Sequence, residues 1–256
     1  MRQSNKLIAA RRNKICDTLA NSQGNTLSVN DLAKLFNVSS MTIRRDLSIL
    51  EEMGRVQRSH GSATLVKEPF FEGYTDNQNI ESIKCNLAKI AARYIKDGDI
   101  VFINSSSTAL LALDYVDNRD VHFITNNLNV HKFDISDSNT LTITGGELRR
   151  PKDTLVGNYA LGMISEVYAD LAIIGTSGIS SEGGITTENI NEGKINAQMI
   201  LNAKFSIAVA DYRKVDHISS IKVTPIHNLD LLITDTYADE KALEKIELSG
   251  VSVIQV

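Results

Sequence analysis

The chain has 256 residues, with 27 Lys and Arg against 31 Asp and Glu and a formal net charge of −4; that is room for a small head and a body of about 180 residues. Its two cysteines, Cys16 and Cys85, stand alone in the sequence, which argues against a disulfide framework or a zinc cage. No charged-then-apolar leader opens the chain and no apolar run approaches the ~20 residues that span a bilayer, so a soluble cytoplasmic protein without metal or cofactor is expected.

The first predicted elements lie between Leu27 and Ala63. Leu32, Leu35 and Phe36 recur at i, i+3 and i+4 and mark one face of a short helix. Asn30 or Asp31 caps its start, and Asn37 suits its exit because Asn tolerates left-handed backbone. Val38 plugs the turn. Ser39 or Ser40 then caps a second helix, running to Met53, in which Ile43, Leu47 and Leu50 repeat; Gly54 ends it. With successive residues roughly 100° apart and Ile43 set inward, Met41, Arg45 and Ser48 fall opposite the core, with Thr42 and Arg44 on the flanks. An arginine fork matches guanine edges or phosphate, and Ser and Thr hydroxyls donate to either. Val56, Arg58 and His60 alternate with Gln57 and Ser59 up to Gly61, as a wing strand does.

Two short helices around a tight turn have helix-turn-helix spacing. Charge is also concentrated there: Met1 to Glu68 carries eleven Lys and Arg against six Asp and Glu, and the remainder sixteen against twenty-five. A basic head on an acidic body is the asymmetry of a DNA-binding protein. The expected DNA contacts are Ser39, Ser40, Met41, Thr42, Arg44, Arg45, Ser48, Arg58 and His60.

Thr64 to Asn79 reads as a hinge, with Pro69, Gly73 and a polar TDNQN run. Its aromatics Phe70, Phe71 and Tyr74 imply that part of it packs against the body or a second subunit. The expected domains are residues 1–63 (head), 64–79 (linker) and 80–256 (body). In the body, candidate strands are Ile100 to Ile103, Val121 to Thr125, Leu141 to Thr144, Leu171 to Ile174, Ser206 to Ala210, Leu229 to Thr234 and Val251 to Gln255. Amphipathic stretches alternate with them: Ile83 to Ile95, Thr108 to Val116, Leu155 to Val167, Glu192 to Ala203 and Glu240 to Ile246. Apolar strands separated by helices predict an α/β body with a largely parallel sheet covered on both faces.

The segments just after the strands carry the functional signal. Asn104-Ser105-Ser106-Ser107-Thr108 comes after the first and opens a helix, Asn126-Asn127 after the second, Gly145-Gly146 after the third, Gly175-Thr176-Ser177-Gly178 after the fourth, and Asp211 with Lys214 after the fifth. Ligands of open α/β sheets bind beyond the carboxyl ends of the strands. A Ser-rich turn at a helix start offers hydroxyls and free N–H groups to an anion such as a sugar phosphate.

These strings resemble a known family. SSMTIRRDLSILEEMGRVQRSHGSA is similar to the signature of the DeoR family of bacterial transcriptional regulators, whose winged helix-turn-helix reads VS, two variable residues, TIRRDL, a helical turn ending in Gly, and a His-Gly wing. Ser62 stands where many members have a second glycine. Leu7 to Ala20, with Leu7, Ile8, Ile15 and Leu19 apolar, resembles the first supporting helix. The resemblance continues through FINSSST, ITNNLNV, ITGGELRR, IIGTSGIS, the helix from Glu192, and DYRKV; ITNNLNV is similar to members that sense glycerol phosphate. It implies a body resembling the ribose-5-phosphate isomerase fold, with Asn104, Ser105, Ser106, Ser107 and Thr108 forming the phosphate loop. It also implies that Asn126, Gly145, Gly146, Arg149, Gly178, Glu192 and Lys214 line the effector pocket. This sequence departs from the pattern: Asn104 replaces an acid, Ser106 a glycine, Ser180 an acid and Arg213 a serine. Asn196 and Ala197 stand where many members have a basic pair, a loss that weakens anion binding in that corner and for which Arg213 or Arg150 would compensate only in part.

The expected function is a DNA-binding regulator, a repressor of a carbohydrate-use operon, with double-stranded operator DNA and a phosphorylated sugar or polyol as partners. A homo-oligomer is expected because such heads commonly read paired half-sites; no membrane partner and no catalytic residue are expected. One alternative is a sugar-phosphate isomerase-like enzyme with a fused head, which needs a carboxylate base near the phosphate loop. The other is a ligand-binding module whose head contacts protein.

Overall fold

A computed structural model describes residues 11, 12, 14–16, 18–52, 56–59, 61–65 and 80–256. The chain divides into two compact units, Met1–Ile83 and Lys84–Val256.

In the first unit, α1 is helical at residues 11, 12, 14–16 and 18–20. It is followed by β1 (Thr26–Ser28), α2 (Val29–Leu35), α3 (Ser40–Glu52), β2 (Val56–Ser59) and β3 (Ser62–Leu65). The three strands form one antiparallel sheet in the order β1-β3-β2. Ile15, Leu19, Leu32, Ile43, Leu47 and Leu50 have no exposed surface and form the core; each such side chain contributes about 1.5–3 kcal/mol by leaving water. Helix α2 is capped by Ser28, whose Oγ accepts from the Asp31 amide at 3.0 Å, not by Asn30 or Asp31 themselves. Leu35, expected in the core, is 64% exposed. The helix ends on it, and Asn37 takes a left-handed turn (φ 50°) that carries the chain away before anything covers that face. The capping residue of α3 is Ser39, which accepts from the Thr42 amide at 3.1 Å.

In the wing, Val56 is buried while Gln57, Arg58 and Ser59 are all exposed, so the expected alternation does not hold beyond its first residue. The opposing strand supplies the core instead, through Ala63 and Leu65. Ser62 begins β3 in extended conformation and shares a hydroxyl hydrogen bond with Ser59 at 2.7 Å. The turn's left-handed position is Gly61 (φ 81°), so a serine at 62 causes no strain. His60, Met53 and Gly54, the start of the predicted first helix (Leu7, Ile8) and nearly all of the predicted hinge lie outside the described residues.

The second unit is built on α4 (Ile80–Ala92), β4 (Ile100–Ile103), α5 (Ser107–Leu110), β5 (His122–Thr125), β6 (Thr140–Ile143), β7 (Glu147–Arg149) and β8 (Thr154–Val156). It continues with α6 (Asn158–Ser165), β9 (Ala169–Gly175), β10 (Gly178–Ser180), β11 (Gly184–Thr187), α7 (Ile190–Leu201) and β12 (Ala203–Val209). The last elements are β13 (Ile221–Thr224), β14 (Leu231–Thr234), α8 (Glu240–Leu248) and β15 (Ser252–Gln255). The seven predicted strands are the seven members of one parallel sheet, ordered β15-β14-β12-β9-β4-β5-β6. On one face Phe102, Ala172, Ile174, Ala208 and Leu232 pack with residues of α6, α7 and α8. The opposite face carries Val101, Ile103, Leu171, Ile173, Ile207 and Ile233, equally buried, which explains why the strands read as continuous apolar runs.

The order reverses between β4 and β9: from β4 the chain moves outward through β5 and β6, then returns to β9 and proceeds outward the other way. That reversal opens a crevice at the carboxyl ends of β4 and β9, where doubly wound sheets hold their ligands. Two excursions surround it, the β7–β8 hairpin and a small antiparallel sheet, β10-β11-β13. Leu155, expected to start a helix, lies in β8 and exchanges two hydrogen bonds with Asn126. The helix begins at Asn158, after Gly157 at φ 87°.

Candidate DNA interface and effector site

Helix α3 separates three consecutive charged residues. Ile43, Leu47 and Leu50 point into the core, and Asp46, three residues from Ile43 and four from Leu50, is drawn in with them at 2% exposure. Its carboxylate accepts from Arg11 Nε at 2.7 Å and Arg12 Nε at 3.2 Å, fastening α3 to α1. Arg44 and Arg45 are exposed and make no hydrogen bond or ion pair with the described residues. Met41 is 70% exposed, Ser40 is exposed, and Thr42 and Ser48 are half-buried. Ser39 and Thr42 share a hydroxyl hydrogen bond at 2.9 Å at the helix start. On the wing, Arg58 Nη1 lies 3.7 Å from Glu51, whose other oxygen accepts the Arg58 amide at 2.9 Å. That exposed pair orients the wing against α3 and contributes about 0–1 kcal/mol. Among the described residues, the head thus offers two unpaired guanidiniums on an N-capped helix beside a wing.

At the sheet crevice, α5 starts after Ser106, whose Oγ accepts from the Ala109 amide at 3.4 Å. Ser105 and Ser106 are half-buried, Ser107 is exposed and Thr108 is buried. Asn127 Nδ2 donates to the Ser105 carbonyl at 3.0 Å and joins the β5 end to this loop. Asn127 also bridges to Thr154, and Thr154 Oγ1 reaches Glu192 Oε1 at 3.4 Å. Arg149 Nη1 donates to the same carboxylate oxygen at 2.6 Å. Glu192 is buried in the first turn of α7, while the Arg149 side chain keeps 29% of its surface exposed. One network therefore runs from the serine loop through β5 and the β7–β8 hairpin to α7.

Asn126 and Thr144 come directly after the paired residues Thr125 and Ile143 on adjacent strand ends. Asn126 Oδ1 and Thr144 Oγ1 are buried without a hydrogen-bond partner. An oxygen left so costs about 1–3 kcal/mol, and a ligand hydroxyl is the kind of group that satisfies it. Gly145 and Gly146 come next, both exposed; Gly146 has φ 130°, and a Cβ there would stand 2.5 Å from the Val156 carbonyl oxygen. Gly178 is buried in β10, where a Cβ would meet the His217 carbonyl oxygen at 2.4 Å, so its part is close backbone approach. Gly175 is the glycine that sequence reading left unassigned. A Cβ there would lie 1.9 Å from Ser106 Oγ, so the serine loop can sit against the β9 end only because position 175 has no side chain. Gly175→Ala is expected to cost about 1–3 kcal/mol in a urea melt and to weaken effector binding. Adding Ser106→Gly removes the clashing atoms and should recover most of the loss; no recovery would contradict this packing.

The fifth strand end brings in Asp211, Arg213 and Lys214. Arg213 donates from Nε and Nη2 to the two Asp211 oxygens at 2.7 and 3.0 Å. It is therefore committed and does not replace a missing cation. Lys214 is half-buried, with no side-chain hydrogen bond to the described residues. Burial works against ionisation of Asp211, but the bonds and charge of Arg213, with Lys214 and Lys84 beyond, outweigh it and hold the carboxyl below its ordinary value. Asp235 is the reverse case: burial, with the Asp211 charge adding to it, pushes its carboxyl up despite amide bonds from Tyr212 and Tyr237. A depressed acid gives stability that is present above its unfolded value and lost as pH falls through its folded one. A raised acid gives stability lost as pH rises through its folded value. Arg213→Ala should therefore raise the Asp211 titration seen by carboxyl-carbon NMR and weaken the protein at neutral pH, the difference fading as pH falls below the ordinary carboxylate range. An unmoved titration would contradict the assignment of cause.

Among the described residues no helix is long and apolar enough to cross a membrane.

Two family profiles match the chain, one described as a DeoR-like helix-turn-helix domain over residues 11–69 and one as a DeoR C terminal sensor domain over residues 79–236. The chain is 33% identical over 249 residues to the HTH-type transcriptional regulator GolR of Listeria innocua serovar 6a, a match covering 95% of this chain and 96% of that protein. It is 29% identical over 212 residues to the glycerol-3-phosphate regulon repressor of Escherichia coli K12, with 82% and 84% covered. Among solved structures, a D-ribose-5-phosphate isomerase in complex with phospho-erythronic acid aligns with 53% of this chain and 54% of that chain at 16% identity and a TM-score of 0.40.

Proposed function

We propose, from the premise that this chain belongs to the DeoR family of transcriptional regulators, that it is a DNA-binding repressor of a carbohydrate-use operon, controlled by a phosphorylated sugar or polyol. The single observation that carries the DNA reading is the split of Arg44, Arg45 and Asp46 on α3: two guanidiniums outside, unpaired among the described residues, and the carboxylate buried. Residues 1–63 are the head, 64–79 the connection and 80–256 the sensor. The DNA contacts are Ser39, Ser40, Met41, Thr42, Arg44, Arg45, Ser48, Arg58 and His60. The effector sits at the sheet crevice against the Ser105 to Thr108 loop, with Asn126, Gly145, Gly146, Arg149, Glu192 and Lys214 around it. The family's sensor profile and the glycerol-3-phosphate relative support a phosphorylated ligand, and the unsatisfied oxygens of Asn126 and Thr144 favour one that also carries hydroxyls.

Control is linkage. A ligand that prefers one arrangement of the sensor shifts the population toward it, and the free energy of that preference is the most it can remove from DNA binding. Two heads on a homo-oligomer reading paired half-sites make such a shift effective, because both must match their spacing at once. The protein acts in the cytoplasm, where operator and phosphorylated intermediates meet. Catalysis is not part of this reading. A general base needs a carboxylate free to take a proton, and Glu192 and Asp211 are held by Arg149 and Arg213.

The test is a gel-shift titration against the chain's own upstream region, with Arg45→Ala as control, repeated with a panel of sugar and polyol phosphates. Binding that is selective, lost in the variant and released by one compound is the expected result. Equal binding by both chains would sink the DNA reading, and turnover of a sugar phosphate would sink the non-catalytic one.

A further inference from the structure

The Asn104 amide is fully committed inside the protein. Its Nδ2 donates to the Gly175 carbonyl at 2.8 Å and to Asn196 Oδ1 at 3.2 Å. Its Oδ1 accepts from the Gly175 amide at 3.0 Å and the Ser106 amide at 3.2 Å. A side-chain amide has two donor hydrogens and two acceptor lone pairs, so no capacity is left over. Both asparagines are buried, Asn104 at 1% and Asn196 at 3% exposure. Asn196 lies on α7 four residues after Glu192, which places the two on one helix face. Through Glu192 that face holds the β7–β8 hairpin, and through Asn196 it holds the end of β4.

We propose that Asn196 is a positioning residue for the effector loop. It accepts the second N–H of the Asn104 amide, whose orientation the Gly175 peptide and the Ser106 amide set, and Asn104 in turn holds the Ser106 amide and the Gly175 peptide together across the sheet's reversal point. The loop's geometry is thus set by a matched neutral pair and not by contact between Asn104 and ligand. The chemistry admits little else at either position. Aspartate at 104 has no donor and sets a charged oxygen against the Gly175 carbonyl, an acceptor within hydrogen-bond reach that cannot turn away, and obliges the Asn196 amide to reverse. Alanine at 196 leaves a buried N–H of Asn104 without an acceptor. An ammonium at 196 beside aspartate at 104 supplies the donor that aspartate lacks, so the paired change should offset the single change at 104.

That this loop receives the phosphate rests on the reading under Proposed function, so the experiment separates the two claims. Amide hydrogen exchange is followed on the full chain for the unchanged protein, Asn196→Ala, Asn104→Asp and the Asn104→Asp, Asn196→Lys double variant. Loss of one buried hydrogen bond should speed exchange of the Ser106 and Gly175 amides roughly tenfold in Asn196→Ala, with the interior of β14 unchanged. Asn104→Asp should speed it further, and the double variant should return to within a few-fold of the original. Unchanged exchange in Asn196→Ala, acceleration spread evenly over the sheet, or a double variant worse than Asn104→Asp would each overturn the proposal. Thermal shift with inorganic phosphate on the same proteins tests the other claim. A phosphate response lost in step with the exchange change supports both claims, whereas exchange that rises while the response is unchanged upholds the positioning role and removes phosphate from the loop.

Discussion

An Arg44→Ala, Arg45→Ala double variant binds its operator at least about thirtyfold more weakly than the unchanged chain, at undiminished stability. Each good guanidinium contact to a base edge is worth about 1–3 kcal/mol, and both side chains are free to make one. Where one of them meets phosphate, the salt dependence of binding also becomes shallower, by about one ion for each phosphate no longer neutralised. Stability should hold because neither arginine has a partner among the described residues, and alanine is the better helix former at an exposed position. Fluorescence anisotropy at two fixed salt concentrations measures the first effect and a urea melt the second. Binding within a factor of two of the original would mean that another surface reads DNA.

The next residue should fail in the opposite way. Asp46→Ala removes the acceptor of Arg11 and Arg12, leaving two partly covered guanidiniums without their counter-charge and a gap between α1 and α3. The expected cost is about 2–4 kcal/mol, a large part of what a head of this size can have. Operator binding is then lost through unfolding. Asp46→Asn, which keeps the shape and one acceptor oxygen but not the charge, should fall between. Thermal melting followed by circular dichroism distinguishes the variants, and a melt of Asp46→Ala equal to the original would refute the role given to this carboxylate.

The contrast shows where sequence reading succeeds and where it stops. The apolar runs announced all seven strands of the parallel sheet, because strands buried on both faces have few polar positions to interrupt them. Of the five missed strands of the body, all three or four residues long, β7, β10, β11 and β13 are rich in Gly, Thr, Ser and charge and read as loops, while the end of β8 reads as the start of the helix that follows it. Leu148 of β7 is even 46% exposed. Leu35 has the right spacing for the core and misses it because the helix ends beneath it. Asp46 sits in a run of charges that marks none of them as buried, yet its offsets from Ile43 and Leu50 put it on the core face. That was the available signal. Asn104 and Asn196 each read as a departure from the family pattern. Nothing along the chain shows that the two departures meet, because their contact joins positions 92 residues apart.

That separation also orders events during synthesis and folding. Among the described residues, those of the head's core all lie before position 66, so their contacts close over short stretches of chain. The crevice is different: its two walls, at Asn104 and Gly175, are 71 residues apart, and the helix beside them comes later still. Contacts of such range are slow to form, and they cannot form on a chain whose far wall has not been made. The part that recognises the operator is therefore encoded upstream of the part that can be told to let go. A chain interrupted between the two keeps the means to recognise and loses the means to respond.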